Sequence, residues 1–181
     1  MPAVTELLGQ HGNVGMWKLV PDRSEFTFQN TALYGLAKVN GRFTEFSGEG
    51  EITVTGSVSG RINIKAASLN TGLGMRDRHL RSGDFFDAHN YPDITVVVTG
   101  VYPGQHDAVN VRADLTVRGK TVPLPMQATV TALADGSIRI TTTTAVERER
   151  FGVSGNMAGM AGKSTIVSAD ALFRKAEPPD A

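Results

Sequence analysis

The sequence has no cysteine among its 181 residues, and this absence removes several kinds of chemistry at once. Without thiols the chain has no disulfides, no thiolate nucleophile and no cysteine-ligated metal. Lysine and arginine together number 18, as do aspartate and glutamate, so the formal net charge is zero. We therefore expect no nucleic-acid partner, because nucleic-acid binding normally shows as a clustered excess of positive charge.

Long apolar runs and a secretion signal are also missing. The most apolar stretch, residues 94–98, is far too short to cross a bilayer as a helix. The first residues carry neither the basic segment nor the apolar run that directs secretion. These absences predict a protein without a transmembrane segment that is located in the cytoplasm.

What the chain contains instead is a series of short alternating segments separated by turn residues. Its 20 glycines accompany many valines and threonines, a composition that favours β-strands with tight turns. The pair Asp135-Gly136 is a strong hairpin signal, and residues 101–107 are predicted as a loop. Roughly eight strands with no strand–helix alternation predict an all-β antiparallel meander, as either a barrel or a sandwich.

The chain is short enough for one domain. The strand pattern covers residues 17–175. Before it lies an N-terminal extension of residues 1–16, in which residues 5–10 suit a single helical turn. After it comes a polar tail of residues 176–181 that we expect to be disordered. Glycine- and methionine-rich residues 159–162 are either a mobile gate or a loop without a role.

Residues 68–92 depart from the strand pattern. Charged side chains follow one another at helical spacing, and Asp77 and Arg81 stand four apart in the order that stabilises a helix. Adjacent Phe85 and Phe86 cannot face the same side of a strand, so a helical turn or loop is needed to bury both. The segment therefore predicts a short helical insertion at about residues 72–87.

No metal or catalytic site is predicted. The histidines, at positions 11, 79, 89 and 106, lack the spacing of metal ligands. The carboxylates of Asp77, Asp84 and Asp87 have the residue type of a hydrolytic pair. However, neither a nucleophile elbow nor a phosphate-binding loop accompanies them. We expect no catalytic residues and no obligatory cofactor.

Several spaced motifs between residues 17 and 175 resemble the signature of the YceI-like family. In chain order they are Trp17-x-Leu19-x-Pro21-x-x-Ser24, Val39-x-Gly41-x-Phe43-x-x-Phe46-x-Gly48, Ser68-x-x-Thr71, Arg76-Asp77-x-His79-Leu80-x-x-x-Asp84-Phe85-Phe86-Asp87, Tyr91-Pro92, Asp114-Leu115-Thr116-Val117-Arg118-Gly119-x-Thr121-x-Pro123 and Arg148-x-x-Phe151-Gly152. The resemblance implies a lipocalin-like antiparallel β-barrel of eight strands. It also implies a long apolar interior that binds an isoprenoid quinone or a polyprenyl phosphate, and pairing into a homodimer.

Given that resemblance, apolar side chains of the strands and of the insertion are the candidates for the cavity. They are Phe26, Phe28, Val39, Phe43, Leu80, Phe85, Phe86, Val96, Leu115 and Met126. Burial of an isoprenoid tail would supply the driving force, at about 25 cal/mol per Å² of apolar area. The expected function is therefore carriage or storage of an isoprenoid lipid, which is the expected partner.

Three charged residues of the insertion leave two interpretations open. Arg76, Asp77 and His79 either bind the polar headgroup at the cavity rim or hold the insertion against the barrel by hydrogen bonds. Two other functions also stay open. One is an enzyme acting on a small apolar or isoprenoid substrate, with His79 and Asp77 as acid and base groups. The other is a stress-related interaction module whose barrel is closed.

Overall fold

The computed structural model describes residues 4–32, 36–153 and 162–177. Within these ranges the chain forms two short α-helices, α1 (Val4–Gly9) and α2 (Gly74–Arg81). The strands are β1 (Gly15–Leu19), β2 (Glu25–Ala32), β3 (Ala37–Phe43), β4 (Phe46–Ile52), β5 (Val58–Lys65), β6 (Leu69–Asn70), β7 (Asp93–Pro103), β8 (Ala108–Val117), β9 (Lys120–Pro123), β10 (Met126–Ala132), β11 (Ile138–Glu147) and β12 (Ser164–Lys175).

The strands close into an antiparallel barrel. Pairing runs β1-β4-β5-β7-β8-β10-β11-β12, and β12 pairs back onto β1, so eight strands complete the circle. Strands β2, β3 and β6 extend this wall from β12. The turn Pro21–Arg23 separates β1 from β2, so the two act as one bent wall strand. Closure gives each of these eight strands a paired neighbour on both sides, and it confirms the predicted eight-stranded barrel over the sandwich.

Alternation in the sequence fixes which side chains face inward. In β8, the residues at positions 109, 111, 113, 115 and 117 are buried, and those between them are half-buried or exposed. The prediction of a loop over residues 101–107 is partly wrong, because β7 continues to Pro103. A bulge between Val98 and Gly100 shifts the pairing of β7 with β8 and breaks the alternation.

Turn residues place the strand ends as predicted at Asp135-Gly136, where Gly136 has φ of +83°. The turn from β8 into β9 uses Arg118 and Gly119, with φ of +52° and +71°. Two successive positive values are typical of the tight hairpin turn that matches strand twist. A side chain at Gly119 would also collide with Tyr91, because an added Cβ would lie 2.8 Å from its ring.

A helix lies at each end of the barrel. Helix α1 buries Val4 and Leu7 among side chains of β1, β4, β8, β10 and β11. Helix α2 follows β6 at the other end, inside the predicted insertion, and residues 82–91 continue it as turns and bends. In the described ranges, no helix is long and apolar enough to cross a membrane.

Candidate ligand-binding cavity

A cavity of about 930 Å³ fills much of the barrel interior. It extends from Val4, Leu7 and Leu8 of α1 to Leu73 and Met75 at the start of α2, and side chains from almost every strand line it. Leu73 and Met75 are 55% and 75% exposed, so the cavity reaches the surface beside α2. Its volume lies near the upper end of the roughly 300–1,000 Å³ typical of small-molecule sites.

The interior is open because its inward positions are not all filled. Val96, Met126 and Ile140 point inward, yet they are only half-buried, since part of each surface faces the lumen. Gly50 of β4 and Gly60 of β5 are directly paired on adjacent strands of the wall. Both glycines line the cavity, and an added Cβ at Gly60 would lie 2.9 Å from Glu49 O, so β4 and β5 approach too closely there for a side chain. An eight-stranded barrel is just wide enough to hold a ligand when such positions stay small.

All of the apolar residues selected from the sequence lie along this cavity. They are Phe26, Phe28, Val39, Phe43, Leu80, Phe85, Phe86, Val96, Leu115 and Met126. Phe86 packs edge-on against Phe28 and Phe43, with ring centroids 6.4 and 6.2 Å apart. The insertion therefore contributes its aromatic side chains to the same surface as the strands. Contact of these residues with a ligand stays a prediction.

Two of the three charged residues predicted at the rim line the cavity. Arg76 donates from Nε to Thr71 Oγ1 at 2.8 Å and from Nη2 to Thr71 O at 2.9 Å. His79 Nε2 lies 3.1 Å from Asp84 Oδ2, and its ring stands edge-on to Phe85. Arg76 and His79 thus combine a bracing contact with a position at the cavity mouth, and headgroup binding by these two residues stays a prediction.

Asp77 is placed differently. Its side chain is buried with 6% exposure and is not among the residues that line the cavity. The carboxylate accepts hydrogen bonds from Thr71 N, at 3.0 Å, and from Thr71 Oγ1. Because Thr71 Oγ1 also accepts from Arg76, the three residues form one network at the start of α2. This geometry gives Asp77 a bracing contact and does not bring it to the mouth.

Arg118 braces the insertion from the barrel side, and sequence reasoning missed this role. Its Nη1 donates to Phe85 O at 2.9 Å and to Gly152 O at 3.2 Å. One guanidinium therefore joins the β8–β9 turn, the insertion and the turn after β11. The motif around Asp114 and Gly119 contained this arginine, but spacing along the chain does not reveal which carbonyl groups lie nearby.

Arg148 is a second residue that sequence reasoning left without a role. Its side chain is 8% exposed and lines the cavity. It donates from Nε to Gly162 O and from Nη1 to Val153 O, each at 2.8 Å. The hydroxyl and amide groups of Asn30, Thr144 and Thr165 also line the cavity. These groups give the otherwise apolar lumen a polar section.

An ion pair lies where the wall meets the insertion. Lys65 Nζ of β5 is 2.7 Å from Asp93 Oδ1 of β7. The hydrogen bond from Lys65 holds the pKa of Asp93 below its ordinary value, and the same bond raises the pKa of Lys65. Both side chains are more than a third exposed, so solvent screens the pair.

The described part of the chain contains no group of three or more metal-ligating side chains placed to hold a metal ion. The predicted gate at residues 159–162 lies outside the described residues except for Gly162. At Gly162, an added Cβ would lie 2.1 Å from Thr31 Oγ1, so the backbone approaches β2 closely there.

A family comparison agrees with this architecture. The model of the YceI-like domain matches residues 17–173. The chain belongs to the YceI-like family. Curated relatives named UPF0312 proteins include one from Vibrio parahaemolyticus, 33% identical over 96 residues, which are 52% of this chain and 51% of the relative. One from Shewanella is 31% identical over 107 residues, or 58% and 56% of the two chains. The matched segments thus span about half the length of these relatives.

Solved structures show the same fold at low identity. BcnA of Burkholderia cenocepacia superposes with a TM-score of 0.77 at 20% identity, over 87% of this chain and 99% of that one. A domain from Saccharophagus degradans, described as polyisoprenoid binding and implicated in plant cell wall breakdown, gives 0.74 at 19% identity, over 88% and 98%. A YceI protein of Campylobacter jejuni gives 0.65 at 21% identity, over 78% and 88%. The YceI-like barrel predicted from the motifs is confirmed.

Proposed function

We propose that this protein binds an isoprenoid lipid in the barrel lumen and carries or stores it. The single observation that carries the proposal is the continuous apolar cavity from α1 to α2, which reaches the surface beside α2. A long flexible chain fits such a lumen, because the walls offer apolar contact along its whole length. The YceI-like domain and the polyisoprenoid-binding description of one structural neighbour support the same ligand class.

The polar end of the ligand is proposed to stay at the mouth. Arg76 and His79 line the cavity beside the exposed Leu73 and Met75, and Arg148 adds a buried cation. An arginine fork suits a phosphate or a ring carbonyl. The tail would then lie deeper, against Leu115, Met126 and the other apolar wall residues. The headgroup is either a phosphate or a quinone ring, and both would accept hydrogen bonds here.

The proposed role is binding without catalysis. An acid/base pair of His79 and Asp77 is not assembled, because Asp77 accepts hydrogen bonds from Thr71 while His79 contacts Asp84. A closed interaction module is less well supported, because a cavity of about 930 Å³ remains inside the wall. The homodimer and the cytoplasmic location stay predictions, and light scattering of the purified protein checks the first.

Native mass spectrometry and organic extraction of the purified protein test the proposal. We expect a co-purifying lipid with a prenyl tail, or binding of an added polyprenyl phosphate or isoprenoid quinone. Val130→Trp should fill part of the lumen and weaken binding by about tenfold or more, because Val130 lines the cavity. Thr129→Trp is the matched control, since the neighbouring residue is exposed on the outer face.

Two outcomes would count against isoprenoid binding. One is a wild-type protein that yields no prenyl lipid on extraction and also binds none when it is added. The other is equal binding by Val130→Trp and by the wild type, with both correctly folded. Carriage is checked separately by following transfer of a fluorescent prenyl lipid between vesicles with and without the protein.

A further inference from the structure

Helix α1 stands apart from the rest of the barrel, because the family match begins at residue 17 and leaves the helix out. It is nevertheless part of the cavity wall, to which Val4, Leu7 and Leu8 contribute side chains. Val4 and Leu7 are only 5% and 4% exposed. A segment outside the matched domain thus lines the end of the cavity away from α2.

The burial of α1 depends on the barrel around it. Val4 packs with Val109, Val111, Ala113 and Ala128, and Leu7 packs with Trp17, Ile52 and Ile138. Six residues are far too few for an isolated helix in water. The helix therefore forms where its apolar face, at positions i, i+3 and i+4, meets the interior of the barrel.

Hydrogen bonds fix the segment that follows α1. Asn13 Nδ2 donates to Leu7 O at 2.7 Å, and Trp17 Nε1 donates to Asn13 O at 2.9 Å. From the neighbouring strand β12, Lys175 Nζ donates to Gly12 O at 2.6 Å. These bonds link the end of the helix to β1 and β12, the two strands whose pairing closes the barrel. The helix is therefore held in place and is more than a loose extension.

We propose that α1 is the floor of the cavity and sets the longest lipid tail that the barrel accepts. The inference rests on the proposed function, in which a prenyl tail enters beside α2. Such a tail would end against Val4, Leu7 and Leu8, so these residues would determine specificity for chain length. The exposed Thr5 and Glu6 on the other face of the helix would have no such effect.

Two sets of variants test the floor in opposite directions. Val4→Ala combined with Leu7→Ala removes about five carbon atoms, the size of one isoprenoid unit. The longest polyprenyl alcohol bound should therefore become about one unit longer. Leu8→Trp should shorten it by a similar amount, since the larger side chain would occupy lumen space. Thr5→Ala combined with Glu6→Ala is the control and should leave the length preference unchanged.

Binding is measured by native mass spectrometry with a graded mixture of polyprenyl alcohols, and folding by circular dichroism. Leu8→Ala, at a half-buried position, replaces the double variant if that variant does not fold. A wild type that binds no member of the mixture, and no polyprenyl phosphate or isoprenoid quinone in its place, would overturn the proposed function itself. A wild type that binds, with the same length preference in every folded variant, would overturn the floor and leave isoprenoid binding standing.

Discussion

The two ends of the barrel are built from different chemistry. At the α1 end, Val4, Leu7 and Trp17 close the interior with apolar side chains that are almost fully buried. At the α2 end, Arg76 and His79 line the same cavity beside the exposed Met75. One lumen therefore joins a dry, tightly packed end to a polar, accessible one. Under the proposed function, this difference would orient the ligand, with its polar headgroup at the α2 end and the end of its tail at the α1 end.

The largest expected loss of stability comes from a substitution at the α1 end. Trp17→Ala should lower the free energy of unfolding by about 3–5 kcal/mol, because it empties a packed site and removes the anchor of Asn13. Chemical denaturation monitored by circular dichroism measures it. At the mouth, Met75→Ala should change stability by no more than about 0.5 kcal/mol. Equal losses of stability in the two variants would contradict the contrast between the packed α1 end and the accessible α2 end.

Removal of the buried carboxylate of α2 should loosen the mouth end. Asp77→Ala leaves the amide of Thr71 without its acceptor, at an expected cost of about 1–3 kcal/mol. Hydrogen exchange should show faster exchange of the Thr71 amide while that of the α1 end stays unchanged. Asp84→Ala is the control, because that side chain is 73% exposed. A similar loss in both variants would argue against the buried network.

Replacement of the mouth arginine separates binding from bracing. Arg76→Gln should weaken binding of a polyprenyl phosphate by about tenfold, the size of one lost charge-assisted hydrogen bond. Binding of the uncharged polyprenyl alcohol should fall much less. Arg78→Gln controls for net charge, since Arg78 is exposed on the same helix. Equal weakening of both ligands would assign Arg76 to bracing alone.

The smallest expected effect is a pH dependence at the closed end. Asp135 accepts hydrogen bonds from Ser137 Oγ and N and from Arg23 Nη1, and these bonds hold the pKa of Asp135 well below its ordinary value. A lowered folded-state pKa stabilises the fold above about pH 4, the ordinary value. The contribution is lost as the pH falls through the folded-state pKa. Asp135→Asn should therefore be slightly less stable than the wild type at pH 7, with a difference that shrinks in strong acid.

Thermal unfolding at a series of pH values measures this difference. High salt should reduce it, because the ion pair with Arg23 is largely exposed. A difference that grows as the pH falls would contradict the assigned direction of the pKa shift.

Alternation and turn chemistry predicted most of the strands, because both are local, whereas closure into a barrel was implied only by the family resemblance. Val96, Leu115 and Met126 lie along the cavity since inward positions repeat every second residue. The extension of β7 was not predictable, because the bulge near Gly100 interrupts that period. The partner of Asp77 was also hidden. The sequence left a rim position and a bracing contact both open for this carboxylate, whereas the fold brings Thr71 to it and buries the Asp77 side chain.

The closed end was the least predictable part of the molecule. The sequence predicted a single helical turn at residues 5–10 and gave it no place in the barrel. Its burial depends on a space that exists only once β12 pairs with β1. Pairing between strands that are far apart in the sequence creates the site that α1 occupies. The pattern of residues 1–16 does not show how deeply the helix is buried there.

The half-buried side chains that line the lumen have a consequence for the amount of folded protein. Side chains that face the empty lumen, such as Val96, Met126 and Ile140, lack dispersion contacts on that side, and a bound tail would restore them. A ligand present at a hundredfold excess over its Kd would add about 2.7 kcal/mol to the stability of the fold. In a cell, the unliganded barrel would be degraded sooner than the occupied one. The abundance of this protein would then follow the supply of the lipid proposed as its ligand.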